Sequence, residues 1–484
     1  MLKKNLFYNA ILSVSQFIFP LITFPYSSRI LGPAGIGTVT FVDSFTQYFL
    51  IFSTLGIPIY GVREISIRKD QPEELKRAFN EILLIHIICA TTFSVIYIAA
   101  ALLIPTLKVH FNIVSIGVVL VIFNVFMLEW FYQGIEQFSY ITMRSLIVRS
   151  VTVVFLFTFL KPGSSSALYY AISASGAIIT SLLNLYFLRK HVSIQFKYFN
   201  LKKHIKPLLT ILGSTLAVSV YLLLDSIILG FIKGEAAVGI YTTAIRIVKL
   251  PFTVIVAISM VMVPQISRAY SSQNKQALHT LIDKSYSFIC LLCMPLAVGM
   301  YISAPFLVHL ISGNKFASAV LPLQILSPII ILVGLNNVFG YQVLTPIGKE
   351  KQMLVAVIAG MVVSLILNLS LIPFLSYTGA AITNLLTECV VTYVCYYYVK
   401  KNLPVNLNGS FLFKSFTGSL LFFPIAYLIR HLNINYMVKE VAVIVSCIIF
   451  YTLYVCTFIR STYVDSFKIL ILSKIGLSTK LNNI

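Results

Sequence analysis

Long apolar runs, separated by short polar stretches, recur from one end of this chain to the other. A helix needs roughly 20 consecutive apolar residues to cross the hydrocarbon core of a membrane, and with that template the pattern predicts about fourteen spans. The sequence therefore predicts an all-α polytopic membrane protein. The predicted spans are 6–28, 37–60, 80–104, 113–132, 142–160, 166–188, 207–229, 239–262, 285–311, 317–341, 353–375, 378–399, 411–430 and 438–459.

The composition supports this assignment and argues against an enzyme. Hydrophobic residues make up 58% of the 484 positions, charged residues only 11%, and the mean hydropathy is +0.92. Soluble domains carry about 25% charged residues. No polar segment is long enough for a separate soluble domain, and the chain contains no phosphate-binding loop of the Walker type. We therefore predict no catalytic site, no cofactor and no bound metal.

Positive charge is distributed unevenly over the predicted loops. The formal net charge is +21, and most cations lie between apolar spans. With both termini placed in the cytoplasm, 27 Lys and Arg residues fall on the inner side and 7 on the outer side. Cytoplasmic loops of membrane proteins carry such an excess of positive charge. We therefore predict that both termini are cytoplasmic, and the charge gives no reason to expect a nucleic-acid partner.

Two halves of the chain look alike. RILGPAGIGTVTFVDS, at 29–44, joins spans 1 and 2, and ILGFIKGEAAVGIYTTAIR, at 228–246, joins spans 7 and 8. A chance match of glycine-containing loops is the alternative. If the repeat is real, six spans per half is an even number, so both halves enter the membrane in the same sense with a cavity between them. We predict two pseudo-symmetric six-helix bundles, 1–206 with its cytoplasmic linker and 207–400, followed by two accessory spans and a basic cytoplasmic tail in 401–484.

Two cations stand inside predicted span 8, in the segment AIRIVKLP. Arg246 and Lys249 are three residues apart, so a helix places both on one face. Counted from the outer end of the span, they lie roughly 10 and 15 Å deep, where a charge costs ~2.5–3.5 kcal/mol on insertion scales. A polar cavity in which both cations hold a phosphate or diphosphate accounts for them. Pairing with an intramembrane acid, such as Asp225, is the alternative.

Other polar residues inside spans are weaker candidates. Intramembrane carboxylates are rare and often mark ion pathways, so Asp43, Asp225 and Glu388 are candidates for ion coupling, although locks between helices explain them nearly as well. Amide and aromatic side chains suit a carbohydrate cargo, but each one alone more often makes a hydrogen bond between helices. The sugar-binding candidates are Gln47, Tyr48, Asn336 and Asn337.

Three segments resemble one family of membrane proteins. They are LITFPYSSRILGPAGIGTVTF, LGIPIYGVREISIRKD and GLNNVFGYQVLTPIGKEKQ, at 21–41, 55–70 and 334–352. They are similar to the bacterial polysaccharide repeat-unit flippases, which handle O-antigen, capsule and exopolysaccharide. These belong to the multidrug/oligosaccharidyl-lipid/polysaccharide exporter superfamily. The resemblance extends over about the first 400 residues.

The resemblance implies a function as well as a fold. Members of this family are thought to move undecaprenyl-diphosphate-linked oligosaccharides across the bacterial cytoplasmic membrane by alternating access, with ion coupling. Arg246 and Lys249 would then meet the diphosphate, and Arg29 is a third candidate because it can reach outer-leaflet phosphates. Expected partners are this lipid-linked cargo, membrane lipids, and the polysaccharide polymerase and chain-length machinery. A cation-coupled multidrug antiporter of the same superfamily is the alternative.

Overall fold

The computed structural model describes residues 2–195, 200–403 and 409–459, although the side chains of 2–7, 9, 10, 17 and 221 are not described. Within these ranges every regular element is a helix. The predicted basic tail beyond residue 459 lies outside them, as do 196–199 of the linker. In chain order the α-helices are α1 Leu2–Thr54, α2 Ile57–Arg68, α3 Pro72–Leu103, α4 Pro105–Val109, α5 Phe111–Phe123, α6 Glu129–Gly134, α7 Phe138–Phe159, α8 Ser166–Leu188, α9 Lys202–Lys233, α10 Glu235–Val248, α11 Phe252–Ser271, α12 Lys275–Ser312, α13 Val320–Leu326, α14 Ile329–Asn336, α15 Glu350–Asn402, α16 Gly409–Leu420, α17 Phe422–Arg430 and α18 Tyr436–Phe458. Two 3-10 segments, Asn124–Phe126 and Asn314–Ala319, and one π-helix, Asn337–Leu344, complete the described elements.

Within the described residues, ten helices are long and apolar enough to cross a membrane, or twelve if each of two bent pairs counts as one span. This finding confirms the all-α polytopic prediction. Two of the ten run over 58 and 53 residues, about twice what one crossing requires. The first, Ile11–Arg68, contains three residues with positive φ, which are Gly32, Leu55 and Gly56, and the second, Glu350–Asn402, contains one, Ser376. The helices are therefore compatible with fourteen spans, and that count stays a prediction.

Predicted span 8 is divided into two helices. α10 ends at Val248 and α11 begins at Phe252, with a turn between them that ends at Pro251. Proline lacks the N–H that would continue the helical ladder, and its ring clashes with the carbonyl one turn earlier. Only α11 is long and apolar enough to count as a span by itself. The continuous helix expected over 239–262 is therefore interrupted next to its two cations.

The chain divides into two compact units. Unit 1 comprises 1–242, 310–316 and 365–380, and unit 2 comprises 243–309, 317–364 and 381–484. The core of unit 1 contains a cluster of aromatic rings on α3 and α6, in which Phe79 lies against both Trp130 and Phe131. In unit 2, α17 and α18 pack on α12 through a smaller apolar cluster that includes Ile302 and Val443. The boundaries predicted near 206 and 400 stay predictions.

The glycine-rich connections of the predicted repeat have matching backbone geometry. Gly32 has φ 70° and ψ −177°, and Gly234 has φ 79° and ψ 178°. Residues with side chains rarely adopt a positive φ of this kind, so glycine is needed at both breaks. Five residues further on, each segment has a second glycine, Gly37 or Gly239. An offset of 202 therefore superimposes both pairs of glycines.

These two segments cross within unit 1. A Cβ atom at Gly37 would overlap the carbonyl oxygen of Glu235, and a Cβ atom at Gly239 would overlap that of Pro33. Because Glu235 is the counterpart of Pro33 under the same offset, the contact is reciprocal. Small residues let helix backbones approach this closely in membranes. We define these four residues as the glycine crossing, and it is the observation that supports a real internal repeat.

Candidate functional site

The two cations of the AIRIVKLP segment project from one face at the end of α10. Arg246 and Lys249 are exposed in unit 2, whereas Ala244, Ile247 and Val248 beside them are buried. The packed face of this segment is therefore apolar, and the cations lie on the other face. At membrane depth an exposed charge is tolerated where it meets water and is costly where it meets lipid. This arrangement favours a water-filled space beside the end of α10.

Arg29, the third cation proposed to bind the diphosphate, lies elsewhere. It is an exposed residue of α1, and its Nη2 donates to the carbonyl oxygen of Leu310 at 2.6 Å. Leu310 lies in the last turn of α12, where carbonyl groups lack partners within the helix. A cation at that end stabilises the helix. The structure therefore gives Arg29 a capping contact in unit 1.

Asp225 is held by hydrogen bonds in the core of unit 1. Its carboxylate is 2% exposed and accepts a hydrogen bond from Tyr241 Oη at 2.5 Å and from Asn368 Nδ2 at 2.6 Å. These donors come from α10 and α15, whereas Asp225 belongs to α9. Hydrogen bonds to a charged acceptor are about twice as strong as those between neutral groups. Asp225 therefore joins three helices, whether or not it also binds an ion.

Asp43 belongs to a hydroxyl-rich cluster of unit 1. Tyr170 Oη donates to Asp43 Oδ1 at 3.2 Å and also lies 3.4 Å from Thr46 Oγ1. Thr46 and Tyr97 share a further hydrogen bond of 2.8 Å between their hydroxyl oxygens. Asp43 itself is only partly buried. The cluster offers a chain of exchangeable protons that begins at a carboxylate.

Glu388 lies in a different environment on α15 of unit 2. It is 7% exposed, and its Oε2 atom has no hydrogen-bond partner among the described residues. The hydroxyl oxygens of Thr383 and Thr387 on the same helix are likewise buried and without a described partner. Buried polar atoms without partners are unusual in proteins. Glu388 therefore offers a buried oxygen atom to a proton or a cation.

The four sugar-binding candidates have different surroundings. Asn337 lies in the π-helix and accepts hydrogen bonds from Ser259 Oγ and, at 3.3 Å, from Gln342 Nε2. Gln342 is fully buried and also bonds to Ser259 at 2.9 Å and to Ser285. Asn337 therefore belongs to a network between helices, which was the alternative considered for it. π-Helical turns often occur at functional sites or hinges.

The remaining sugar candidates are less constrained. Tyr48 Oη lies 3.4 Å from the carbonyl oxygen of Ser219, a long hydrogen bond within unit 1. Gln47 and Asn336 are partly buried, and neither side chain forms a hydrogen bond in the described part of the chain. These two amides keep their donors and acceptors for a ligand. The four residues are divided between the units, with Gln47 and Tyr48 in unit 1.

Two polar clusters were not predicted from the sequence. Arg144 was one of the 27 cations counted on the inner side, but its side chain is only 2% exposed and its Nη2 donates to Glu129 Oε1 at 2.5 Å. The other terminal nitrogen donates to Asn184, whose backbone carbonyl accepts from Tyr132 at 2.7 Å. The signal available in the sequence was Glu129, an acid at the end of an apolar run. The second cluster surrounds Glu81 and is described below.

No group of three or more His, Cys, Asp or Glu side chains that could hold a metal ion occurs among the residues described. The cysteines at 290 and 293 are free and buried in α12.

Comparison with known proteins gives consistent similarities along the chain. A family model described as polysaccharide biosynthesis protein matches residues 2–270, and the MatE model matches residues 211–370. A protein of Escherichia coli (strain K12) named as an O-antigen transporter is 27% identical over 404 residues, which is 83% of this chain and 97% of that protein.

Two solved structures share the fold. The lipid II flippase MurJ, in an inward closed conformation, superimposes with a TM-score of 0.75 at 15% identity and covers 94% of this chain and 100% of its own. An inward-facing multidrug resistance MATE family transporter of the MOP superfamily gives a TM-score of 0.65 at 16% identity and covers 80% and 94%. At these identities the similarity establishes the architecture alone.

Proposed function

The chain belongs to the polysaccharide biosynthesis protein family, and from this premise we propose that it flips lipid-linked oligosaccharide repeat units across the cytoplasmic membrane. It is a multi-pass membrane transporter and not an enzyme. The Escherichia coli relative, similar along nearly its whole length, is named for O-antigen transport, and the MurJ structure bears the name of a lipid II flippase. These names support a cargo in which a saccharide is joined to a lipid.

The observation that carries the proposal is the exposed cation pair at the end of α10. A lipid-linked saccharide has an anionic phosphate group between its sugar and its hydrocarbon chain. Arg246 supplies a planar fork of donors and Lys249 a compact charge, and both suit phosphate oxygens. In this proposal the two cations hold an undecaprenyl diphosphate while the lipid chain stays in the bilayer. Arg29 is a further candidate for the diphosphate on the outer side.

We assign the sugar part of the cargo to the polar side chains without strong internal contacts. Gln47 and Asn336 are the better candidates because each amide is still available to a ligand. Tyr48 contributes an aromatic face and a weakly bonded hydroxyl group. Asn337 takes part only if its network with Ser259 opens during transport.

Ion coupling is proposed at the buried carboxylates. Protonation or cation binding at Glu388 would satisfy its unpartnered oxygen, which makes it the preferred coupling residue of unit 2. In unit 1, Asp43 and Asp225 are the candidates. Both termini are proposed to lie in the cytoplasm of a bacterium, and the exported units are proposed to pass to a polymerase and its chain-length machinery.

Lipid analysis of cells lacking the protein tests the function. We expect undecaprenyl-diphosphate oligosaccharide to accumulate in the inner leaflet and to return to its normal level on complementation. Unchanged lipid-linked glycans would contradict the flippase function.

Alanine variants test the cation pair. Arg246→Ala and Lys249→Ala should each reduce glycan export while the amount of protein in the membrane stays near normal. The exchanged variant Arg246→Lys/Lys249→Arg keeps both charges and serves as the matched control. Full export by the double alanine variant would refute the role of the two cations without refuting the flippase function.

Cation-coupled drug efflux is the second candidate function. The fold similarity to a multidrug MATE transporter and the buried acids Asp225 and Glu388 favour it. The exposed cations of α10 argue against it, because a cationic drug would be repelled. Dye efflux from vesicles that contain the purified protein, under an imposed sodium or proton gradient, separates the two functions. A drug antiporter should show this efflux and a flippase should not.

A further inference from the structure

A buried carboxylate fixes the beginning of α9. Glu81 of α3 is fully buried, and its Oε1 atom accepts a hydrogen bond from the backbone N–H of Asn200 at 3.0 Å. Its Oε2 atom lies 2.6 Å from Lys203 Nζ and 3.0 Å from His204 Nε2. Arg77 adds a further contact of 3.2 Å. Because a buried charge is expensive unless it is well paired, this set of donors holds the first turn of α9 firmly.

Neighbouring contacts extend this attachment. His204 Nδ1 and the hydroxyl oxygen of Tyr60 are 2.6 Å apart. Asn80 binds the preceding segment twice, donating to the carbonyl oxygen of Ser193 at 3.1 Å and accepting from the N–H of Gln195 at 3.0 Å. The orientation of α9 about its own axis is therefore set by residues of α2 and α3.

With Lys203 and His204 directed at Glu81, another face of α9 lines an open surface cavity. Its volume is about 540 Å³, and its described lining consists of Lys202, Ile205, Lys206, Leu209 and Thr210. All five residues are exposed. Lys202 and Lys206 are one turn apart, and neither forms an ion pair within the described ranges. Of the three lysines at the start of this helix, Lys203 is the one with a carboxylate partner among the residues that the structure describes.

The lining changes from charged to apolar along the helix. Lys202 and Lys206 lie at the end predicted to face the cytoplasm, and Leu209 is seven residues beyond Lys202, or roughly 10 Å further into the membrane. A surface with ammonium groups at one end and aliphatic side chains further along the helix matches a molecule with an anionic head and a hydrocarbon chain. A soluble anion would use only the lysines and would gain nothing from Ile205 or Leu209.

We propose that this cavity binds the phosphate-bearing headgroup of a lipid from the inner leaflet, with Lys202 and Lys206 on the phosphate and Ile205 and Leu209 along the first part of the chain. Juxtamembrane lysines are attracted to anionic lipids, each by about 1 kcal/mol. The site is distinct from Arg246 and Lys249, and it does not depend on the proposed function because phospholipids and polyprenyl phosphates share the same headgroup chemistry.

Lipid titration of the purified full-length chain tests the proposal. The protein is placed in phosphatidylcholine nanodiscs that also contain a fluorescent phosphatidylglycerol or a polyprenyl diphosphate. Lys202→Gln/Lys206→Gln should weaken binding of the lipid phosphate roughly 30-fold, since two lysine contacts are lost. Lys400→Gln/Lys401→Gln removes the same charge from the end of α15, outside the cavity, and should leave the affinity unchanged.

Equal affinity for both fluorescent lipids would assign the site to bulk phospholipid, and preference for the polyprenyl diphosphate would assign it to the transported class. Either result supports a lipid site.

A second variant separates a lipid from a free anion. Leu209→Asn should weaken binding of both lipids without changing the weak binding of inorganic diphosphate. If inorganic diphosphate binds as tightly as the lipids, or if the lysine double variant binds lipid normally, the proposal is overturned. Size-exclusion profiles of all variants should match the parent protein, because every substituted side chain is exposed.

Discussion

At the residue scale, the sign of a charge was easier to predict than its partner. The charge count placed Arg144 among the cations of the inner side, yet its buried guanidinium pairs with the partly exposed Glu129 and donates a hydrogen bond to Asn184. Those partners lie 15 and 40 positions away, and no local pattern connects them. Hydropathy reports how costly a charge is at a position, but it does not report which side chain offsets that cost.

Substitution at this pair should show strong coupling. Arg144→Met leaves Glu129 without its guanidinium partner, and Glu129→Gln leaves the buried guanidinium without its carboxylate. We expect the double variant to be less destabilised than the sum of the single variants, with a coupling of about 0.5–3 kcal/mol. Denaturant unfolding in detergent measures the cycle. Additive effects would mean that the two side chains do not interact in the folded protein.

A pH dependence is expected at Glu235, which lies before the first predicted residue of span 8. Burial acts to raise the pKa of this carboxyl group, but hydrogen bonds from its own backbone N–H and from His110, at 2.5 Å, outweigh burial and lower the pKa. A lowered folded-state pKa contributes stability above the unfolded-state pKa and loses it as the pH falls through the folded-state value. The side chain is 39% exposed, so the contribution is at most about 1 kcal/mol.

Thermal unfolding of the parent protein and of Glu235→Gln across a pH series checks this. At neutral pH the parent protein should unfold at a higher temperature than Glu235→Gln. This difference should disappear at a pH below the ordinary pKa range of a glutamate. A difference that grows toward acidic pH would contradict the assigned sign. Adding Glu235→Gln to a His110→Gln protein, which lacks one of the two donors, should cost less stability at neutral pH than it costs the parent protein.

At the element scale, the hydrophobic pattern located the helices and failed where backbone chemistry intervenes. It marked the breaks near Gly32 and Ser376, because loops interrupt apolar runs there. It predicted one span through 239–262, which the turn ending at Pro251 interrupts. The π-helix that contains Asn337 has no signal in the apolar pattern, since an added residue per turn does not change which residues are hydrophobic.

The glycine crossing gives the clearest prediction at this scale. Gly37→Ala should force the two helices apart, because the new methyl group would overlap the Glu235 carbonyl oxygen. We expect a loss of about 1–3 kcal/mol in stability, the usual cost of overpacking, together with reduced export. Gly299→Ala is the matched control, since this helical glycine of α12 has open space around its Cβ position. Equal tolerance of both substitutions, measured by thermal unfolding, would refute the packing role.

At the scale of the whole molecule, composition and charge were sufficient for the fold class but not for the site. The all-α membrane fold followed from hydropathy, and the family from three short segments. The candidate residues were chosen by side-chain type and by depth, so Arg29 and Asn337 were assigned to cargo although each has a structural contact. Depth along a helix can be read from a sequence, whereas the direction of a side chain depends on how the helices rotate and pack.

The predicted orientation is testable on intact cells. A cysteine at Lys161, in an exposed connection between α7 and α8, should react with a membrane-impermeant maleimide added outside. A cysteine at Ser272, in the exposed turn between α11 and α12, should react only after permeabilisation. The parent protein, whose own cysteines are mostly buried, is the control for background labelling. Labelling of position 272 in intact cells would show that the orientation is opposite to the predicted one.

The glycine crossing also bears on how the two halves can diverge. Asp43 and its counterpart Ile245 have already become different, which a duplicated sequence permits wherever each copy meets its own surroundings. Gly37 and Gly239 have no such freedom, because each of them packs against the backbone of the other copy of the repeat. A duplication normally leaves one copy free to accumulate substitutions. At this contact it instead doubles the number of positions at which a single added side chain would prevent the helices from packing.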